Sequence, residues 1–172
     1  MERQLRMKKV ITVIAVCLLI AVYIMIFLFS ADDAAESSSL SVAVTRKLIN
    51  LYYHFFSGNN NAVLTVPVVT DDAEAIVRKM AHFTEYMAVG FLSFGIAVIW
   101  MQRIKAGIVA VTLQVFLSAG LDEIHQYFVP GRACMFTDVC IDSVGALLGI
   151  LFATMIMTLF EYSQSLRKKG SK

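Results

Sequence analysis

The stretch VCIDSVGALLGILFATMIMTLF, residues 139–160, carries a single charge, that of Asp142, near its start. A helix needs about 20 predominantly apolar residues to cross the hydrocarbon core of a bilayer, and this stretch is long enough. Three further stretches have the same character, at about residues 10–29, 80–101 and 106–128. The sequence therefore predicts an all-α fold, an integral membrane four-helix bundle in which residues 1–172 form a single membrane domain.

The composition agrees with a membrane protein and excludes other classes. Hydrophobic residues make up 58% of the chain and charged residues 16%, whereas soluble domains carry about 25% charged residues. Because the polar groups are too few to cover a surface that faces water, the lipid bilayer is the expected partner. The net charge is only +2, and no basic stretch interleaves with aromatic residues, which excludes nucleic acid as a partner. The three cysteines lack the spacing of a disulfide framework or a zinc site.

The first apolar stretch has two readings, because basic residues precede it. A cleaved signal peptide has an apolar region of about 7–15 residues. Residues 10–29 form a longer run, so a retained transmembrane helix is the expectation.

The distribution of Lys and Arg predicts the orientation of the chain, since cytoplasmic segments of membrane proteins are enriched in both. With the N- and C-termini in the cytoplasm, ten of the 15 basic residues lie inside. Those ten are Arg3, Arg6, Lys8, Lys9, Arg103, Lys105, Arg167, Lys168, Lys169 and Lys172. We therefore expect the loop at residues 31–71, between the first two spans, to be extracytoplasmic.

Part of that outer loop has the pattern of a helix. Leu40, Val44, Leu48 and Tyr52 recur at helical spacing. The pattern predicts a short amphipathic helix that lies on the outer leaflet or packs over the mouth of the bundle.

Polar residues collect at three places that this topology brings to one height, near the outer surface. Ionisable groups within a membrane span are costly, so they usually face a protected interior and indicate function. The three groups are Lys79, His82 and Glu85; Asp122, Glu123, His125, Gln126 and Arg132; and Asp138 and Asp142.

These residue types suit several kinds of chemistry. Carboxylates beside a histidine can transfer protons, so the candidate catalytic residues are His82, Glu85, Asp122 and Glu123. The candidates for substrate binding are Lys79, His125, Gln126, Arg132, Asp138 and Asp142. Arg132 has a planar fork of donors suited to a phosphate or a carboxylate. A divalent metal is a possible cofactor, of unknown identity, with His82, Glu85, Asp138 and Asp142 as candidate ligands.

Each of these features also has a structural interpretation. His82 and Glu85 are about equally well explained as hydrogen-bonding groups that fix the bundle. The small residues Gly145, Gly149 and Ala153 predict a stripe of close helix packing, within the chain or across a dimer.

The sequence also resembles a known family. Residues 79–86, KMAHFTEY, and Gly90 resemble the first signature of the VanZ-like membrane proteins, and residues 122–132, DEIHQYFVPGR, resemble the second. The resemblance implies a multi-pass protein of the bacterial cytoplasmic membrane, with a link to resistance against teicoplanin-type glycopeptide antibiotics. This chain has Asp142 where the family often has asparagine, which would favour a bound cation or a proton shared with Asp138.

Two hypotheses of function stand about level. In the first, the polar residues form an enzymatic or substrate-binding site for a lipid-linked cell-wall precursor or another polar lipid of the envelope. In the second, the protein is not an enzyme, and it binds the glycopeptide antibiotic or scaffolds a wall-synthesis complex. A small transporter is a weaker alternative, because no charge lies at mid-membrane in any span.

Overall fold

The computed structural model of the chain describes residues 2–56, 71–101 and 103–170. These ranges contain five α-helices and no strand, which confirms the all-α prediction. The helices are α1 (Glu2–Ala31), α2 (Ala34–Phe56), α3 (Asp71–Met101), α4 (Ile104–Tyr127) and α5 (Phe136–Gly170). The part of the predicted outer loop at residues 57–70 lies outside the described residues.

Four of these helices are long and apolar enough to cross a membrane. The apolar segments are Glu2–Ala31, Ala75–Met101, Ile104–Tyr127 and Phe136–Arg167. Large apolar side chains project from them into the surroundings, and on α1 these include Val13, Ile24 and Leu28. Such surfaces are unfavourable in water and ordinary in lipid, so the helices are suited to a bilayer.

Helix α3 lies at the centre of the bundle and contacts each of the other four helices, α5 most extensively. Its buried side chains Tyr86, Val89 and Phe94 form the core together with Val115 and Ala119 of α4. Helix α1 packs on α3 and α4 and leaves much of its surface free for lipid.

Glycines allow α3 and α5 to approach backbone to backbone. A Cβ atom on Gly149 would lie 2.0 Å from the carbonyl oxygen of Met87, and one on Gly145 would lie 2.4 Å from that of Phe83. Ala153, the next small residue of the stripe, is buried as well. The predicted stripe of small residues thus packs within the chain, against α3.

Helix α2 is the helix predicted between the first two spans, but its apolar face is not the face that the protein buries. Ser41 and Thr45 are buried, whereas Leu40, Val44 and Leu48 remain about half exposed. Thr45 tolerates burial because its hydroxyl donates to the carbonyl oxygen of Ser41, at 2.7 Å. The apolar stripe of α2 therefore stays available to a neighbour other than this chain.

Candidate functional site

The buried polar residues collect at one end of the bundle, which we call the polar end. It is formed by the C-terminal ends of α1 and α4, the N-terminal half of α3, the first turns of α5 and residues 128–135. Gly131 has a φ of 77°, a left-handed conformation that glycine adopts without strain. This turn brings the first turns of α5 back beside the last turns of α4, so that carboxylates of both helices meet.

A cavity of about 20 Å³ lies inside the polar end, and about 10–15 Å³ is enough to hold a water molecule. Six of the predicted site residues line it, together with Arg78 and Ile141. The six are Lys79, His82, Glu123, Gln126, Asp138 and Asp142. The structure therefore brings residues from α3, α4 and α5 around one polar space.

Lys79 and Asp138 form an ion pair across the mouth of this cavity, between α3 and α5. Thr137 contributes a longer hydrogen bond, in which its hydroxyl donates to Asp138 at 3.4 Å. Asp142 lies one turn further along α5 and is 3% exposed. Lys79 thus engages Asp138, the predicted aspartate nearer the start of α5.

His82 and Glu85 face each other on α3 without forming a hydrogen bond. Their closest atoms, Nδ1 and Oε2, are 3.5 Å apart. Both atoms are buried, and neither has a hydrogen-bond partner among the described residues. Buried polar atoms are nearly always satisfied in native proteins, so an unsatisfied pair indicates a place where another molecule can bind.

Asp122 does not line the cavity, and it takes part in a chain of hydrogen bonds that ties α4 to α1. Gln126 Nε2 donates to Asp122 Oδ2 at 3.0 Å and to the hydroxyl of Ser30 at 3.3 Å. Ser30 is fully buried at the end of α1. The small serine allows α1 to approach α4 here, a role that sequence reasoning did not assign to it.

Arg132 closes the C-terminal end of α1. Its Nη2 donates to the carbonyl oxygen of Phe29 at 2.7 Å and its Nε to that of Asp32 at 3.1 Å. Nη1 lies 3.4 Å from Gln126 Oε1. Burial, and then the charge of nearby Arg78, lowers the pKa of Arg132, but a guanidinium remains protonated in proteins. Three of its five N–H donors therefore serve the protein itself.

Glu123 and His125, both predicted site residues of α4, have different surroundings. Glu123 is 2% exposed, lines the cavity and accepts a hydrogen bond from the backbone N–H of Met135 at 2.7 Å. His125 stacks on Phe27 of α1, with ring centroids 4.9 Å apart. His125 does not line the cavity, so its position is that of a residue in the α1–α4 contact.

The described part of the chain does not bring three His, Cys, Asp or Glu side chains into an arrangement that could hold a metal ion. Of the four predicted ligands, Asp138 engages Lys79 instead. The predicted metal site thus finds no support in the arrangement of these side chains. The orphaned His82 and Glu85 atoms fit a hydrogen-bonding ligand.

A second, larger opening adjoins the cavity. This groove has a volume of about 750 Å³ and lies between the end of α1, helix α2 and the first half of α3. Its polar side includes Asp32, Arg78, His82, Glu85 and Arg132. Arg78 and His82 line both spaces, so the groove leads to the polar cavity.

Sequence reasoning missed Arg78, one of the five basic residues that the predicted orientation does not place in the cytoplasm. One signal was available: Arg78, His82 and Glu85 follow the spacing i, i+4, i+7 and therefore share a helix face.

Comparison with known proteins identifies the family. At a stringent threshold, neither a curated protein nor a solved structure matches the chain. A family model, VanZ/LLP1, matches residues 15–166. That range includes α3 and α4, most of α5, the second half of α1 and every residue of the polar end, which fits the resemblance of residues 79–86 and 122–132. The chain belongs to the VanZ/LLP1 family.

Proposed function

We propose that the polar end faces the outside of a bacterial cytoplasmic membrane. The basic residues at the start of α1, between α3 and α4, and at the end of α5 are at the opposite end of the bundle. The enrichment of Lys and Arg in cytoplasmic segments supports this orientation. In it, the cavity and the groove open at the level of the outer leaflet.

In this orientation the polar end is a site that binds, or acts on, a component of the cell envelope. The observation that carries this proposal is the His82–Glu85 pair, buried and unsatisfied where the cavity meets the groove. A structural pair would be expected to complete its hydrogen bonds, because each buried unpaired group costs about 1–3 kcal/mol. A ligand with donor and acceptor groups would satisfy both side chains.

The chemistry available to such a ligand is proton transfer and charge stabilisation. His82 can give or take a proton at its ring nitrogens, and Glu85 lies within reach to orient the ring. Lys79 and Arg78 provide positive charge at the cavity. Since the site holds both acids and cations, it suits a polar head group with an anionic portion, such as that of a lipid-linked cell-wall precursor.

Resistance to teicoplanin-type glycopeptides is the biological outcome that we propose for this site. The second candidate, a non-catalytic protein that binds the antibiotic or scaffolds other proteins, is favoured by a different observation. Arg132 and Glu123 use hydrogen bonds to hold the chain together, at α1 and at Met135 respectively. In that case the main role of the polar end would be to stabilise the helix bundle through hydrogen bonds.

The two candidates make different predictions for variants that keep shape and remove charge. The experiment measures teicoplanin and vancomycin susceptibility in a sensitive Gram-positive host that expresses the native chain, Glu85→Gln or His82→Gln. Glu161→Gln, an exposed carboxylate of α5 away from the polar end, is the matched control. Immunoblotting of membranes gives the abundance of each variant.

A working site predicts that the native chain and Glu161→Gln protect the host, whereas Glu85→Gln and His82→Gln accumulate normally and do not protect. Failure of these variants to accumulate would favour the second candidate, in which the polar end stabilises a non-catalytic protein. Abundant variants that protect as well as the native chain would contradict the proposal.

A further inference from the structure

The groove beside the polar cavity has the lining of a site for an amphiphile. Its apolar side includes Leu40, Val44 and Leu48 of α2 with Ile76 and Met80 of α3. Its volume of about 750 Å³ falls within the range of about 300–1,000 Å³ that is typical of small-molecule sites. A hydrocarbon chain can therefore lie along one side while a polar head group reaches the other.

The apolar stripe of α2 needs a partner that the described chain does not supply. Leu40, Val44 and Leu48 are 50%, 46% and 54% exposed, although they line the groove. Within a bilayer, lipid chains solvate such a surface as well as protein side chains do. The stripe is thus ready to contact a lipid chain that enters the groove.

Arg78 is a cation of the groove that has no counter-ion among the described residues. Lys79 pairs with Asp138, and Arg132 donates to the carbonyl oxygens of Phe29 and Asp32. Half-buried Arg78 forms no hydrogen bond or ion pair with the described residues. An arginine at membrane depth normally has an anionic or carbonyl partner. Its planar fork binds a phosphate through two parallel hydrogen bonds.

We propose that the groove holds a hydrocarbon chain of a membrane lipid and that Arg78 binds the phosphate of its head group. The phosphate at Arg78 then lies beside His82, which lines both the groove and the cavity. This inference rests on the proposed function, because it names the ligand class of the same site: a lipid whose head group ends in an unsubstituted phosphate.

The head group, and not the chain, must provide the selectivity. Chains of all bilayer lipids are equally apolar, so moving one from the bilayer into the groove gains little free energy. A charge-assisted contact with Arg78 favours a phosphomonoester, which carries more than one negative charge, over a choline phosphodiester, whose single negative charge is balanced by its quaternary ammonium. The decisive comparison is therefore between lipids with the same chain and different head groups.

The experiment titrates lysophosphatidic acid and lysophosphatidylcholine, both with the same acyl chain, into the full-length chain in detergent micelles. Native mass spectrometry measures the bound fraction. The native chain is expected to bind lysophosphatidic acid about tenfold more tightly, which corresponds to about 1.4 kcal/mol. Arg78→Gln should remove this preference and leave the binding of lysophosphatidylcholine unchanged. Arg78→Lys, which keeps the charge and loses the fork, should give an intermediate preference.

Two matched controls separate the contribution of the groove from general effects. Arg46→Gln removes an exposed charge of α2 that does not line the groove, and the preference should persist. Val44→Trp should fill the groove and weaken binding of both lipids, whereas Leu51→Trp, on exposed α2 surface outside the groove, should leave both unchanged.

Equal binding of the two lipids by the native chain would overturn the proposal, as would a preference that survives in folded Arg78→Gln. The melting temperature of each variant identifies those that are misfolded, and Arg78→Lys then provides the test. Failure of the proposed function would be a separate result. If the native chain shows the lipid preference but does not protect the host, the phosphate site stands and only the link to resistance is contradicted.

Discussion

The carboxylate of Glu123 accepts a hydrogen bond from the backbone N–H of Met135, 2.7 Å away, and thereby ties α4 to the segment that leads into α5. The same carboxylate lines the polar cavity. Glu123 therefore has a structural contact and a candidate functional position at once, and suitable variants can separate the two.

Glu123→Gln keeps an oxygen that can accept from Met135, whereas Glu123→Ala does not. We expect Glu123→Gln to accumulate normally and melt near the native temperature, because the hydrogen bond survives. Glu123→Ala should lose about 1–3 kcal/mol of stability, the usual cost of an unsatisfied buried group. Thermal unfolding of the two purified variants in detergent measures the difference.

The host-protection assay completes this test. A working site predicts that Glu123→Gln fails to protect the host although it is stable. Protection by Glu123→Gln together with instability of Glu123→Ala would assign this residue to structure alone.

The contact between α3 and α5 predicts opposite effects for two Gly→Ala variants. Gly149→Ala places a Cβ 2.0 Å from the carbonyl oxygen of Met87, a backbone atom that cannot move aside without displacing the helix. Overpacking of this kind costs about 1–3 kcal/mol. Gly120→Ala, where a Cβ meets nothing within 4 Å, should gain up to about 1 kcal/mol from helix propensity.

Melting temperatures of the two variants in the same detergent check this prediction. A lowered value for Gly149→Ala with an unchanged or raised value for Gly120→Ala is expected. Equal behaviour of the two would contradict the close approach of α3 and α5 at Gly149.

Hydropathy was sufficient to predict the fold because lipid requires long apolar helices, and the four spans follow directly from their length. The stripe of Gly145 and Gly149 was likewise predictable, since small residues at helical spacing allow close packing. The face by which α2 contacts α3 was not predictable. The periodicity of Leu40, Val44 and Leu48 indicates which face is apolar, but not whether protein or lipid will cover it.

Most residues of the candidate site could be predicted from the sequence, with Arg78 as an exception, but their contacts could not. Spacing placed His82 and Glu85 on one turn, but the partner of each cation depends on distances between helices that are far apart in sequence. For this reason the sequence did not show that Arg132, predicted to hold an anion, donates to the carbonyl oxygens of Phe29 and Asp32. Nor did it show that Arg78 has no ion-pair partner among the described residues.

The contacts of Arg132 predict that Arg132→Lys loosens the end of α1. A lysine ammonium lacks the planar fork that reaches the carbonyl oxygens of Phe29 and Asp32 together. We expect faster amide hydrogen exchange at residues 26–32, and a loss of about 1–3 kcal/mol if a buried acceptor is left unpaired.

Arg103→Lys, at an exposed arginine outside the helices, is the matched control and should exchange like the native chain. Native-like protection of residues 26–32 in Arg132→Lys would show that the guanidinium is not needed to hold the end of α1.

A hydrogen-bond chain inside the apolar part of the bundle links α1 to α4. Gln114 Nε2 donates to the hydroxyl of Tyr23 at 2.8 Å, and that hydroxyl donates to Ser118 at 3.3 Å. Tyr23→Phe removes the acceptor and leaves the Gln114 amide unpaired among apolar side chains. Hydrogen bonds between membrane helices average about 0.6 kcal/mol, with a maximum near 1.7, so we expect a loss of about 1 kcal/mol.

The double variant Tyr23→Phe/Gln114→Leu tests the physical reason for that loss. Replacing both partners by apolar groups is nearly neutral, because no polar group is then left unsatisfied. The double variant should therefore unfold near the native temperature and above Tyr23→Phe alone. If it is instead less stable than Tyr23→Phe, the Gln114 side chain stabilises the bundle through contacts other than this hydrogen bond, and the unpaired amide is not the cause of the loss.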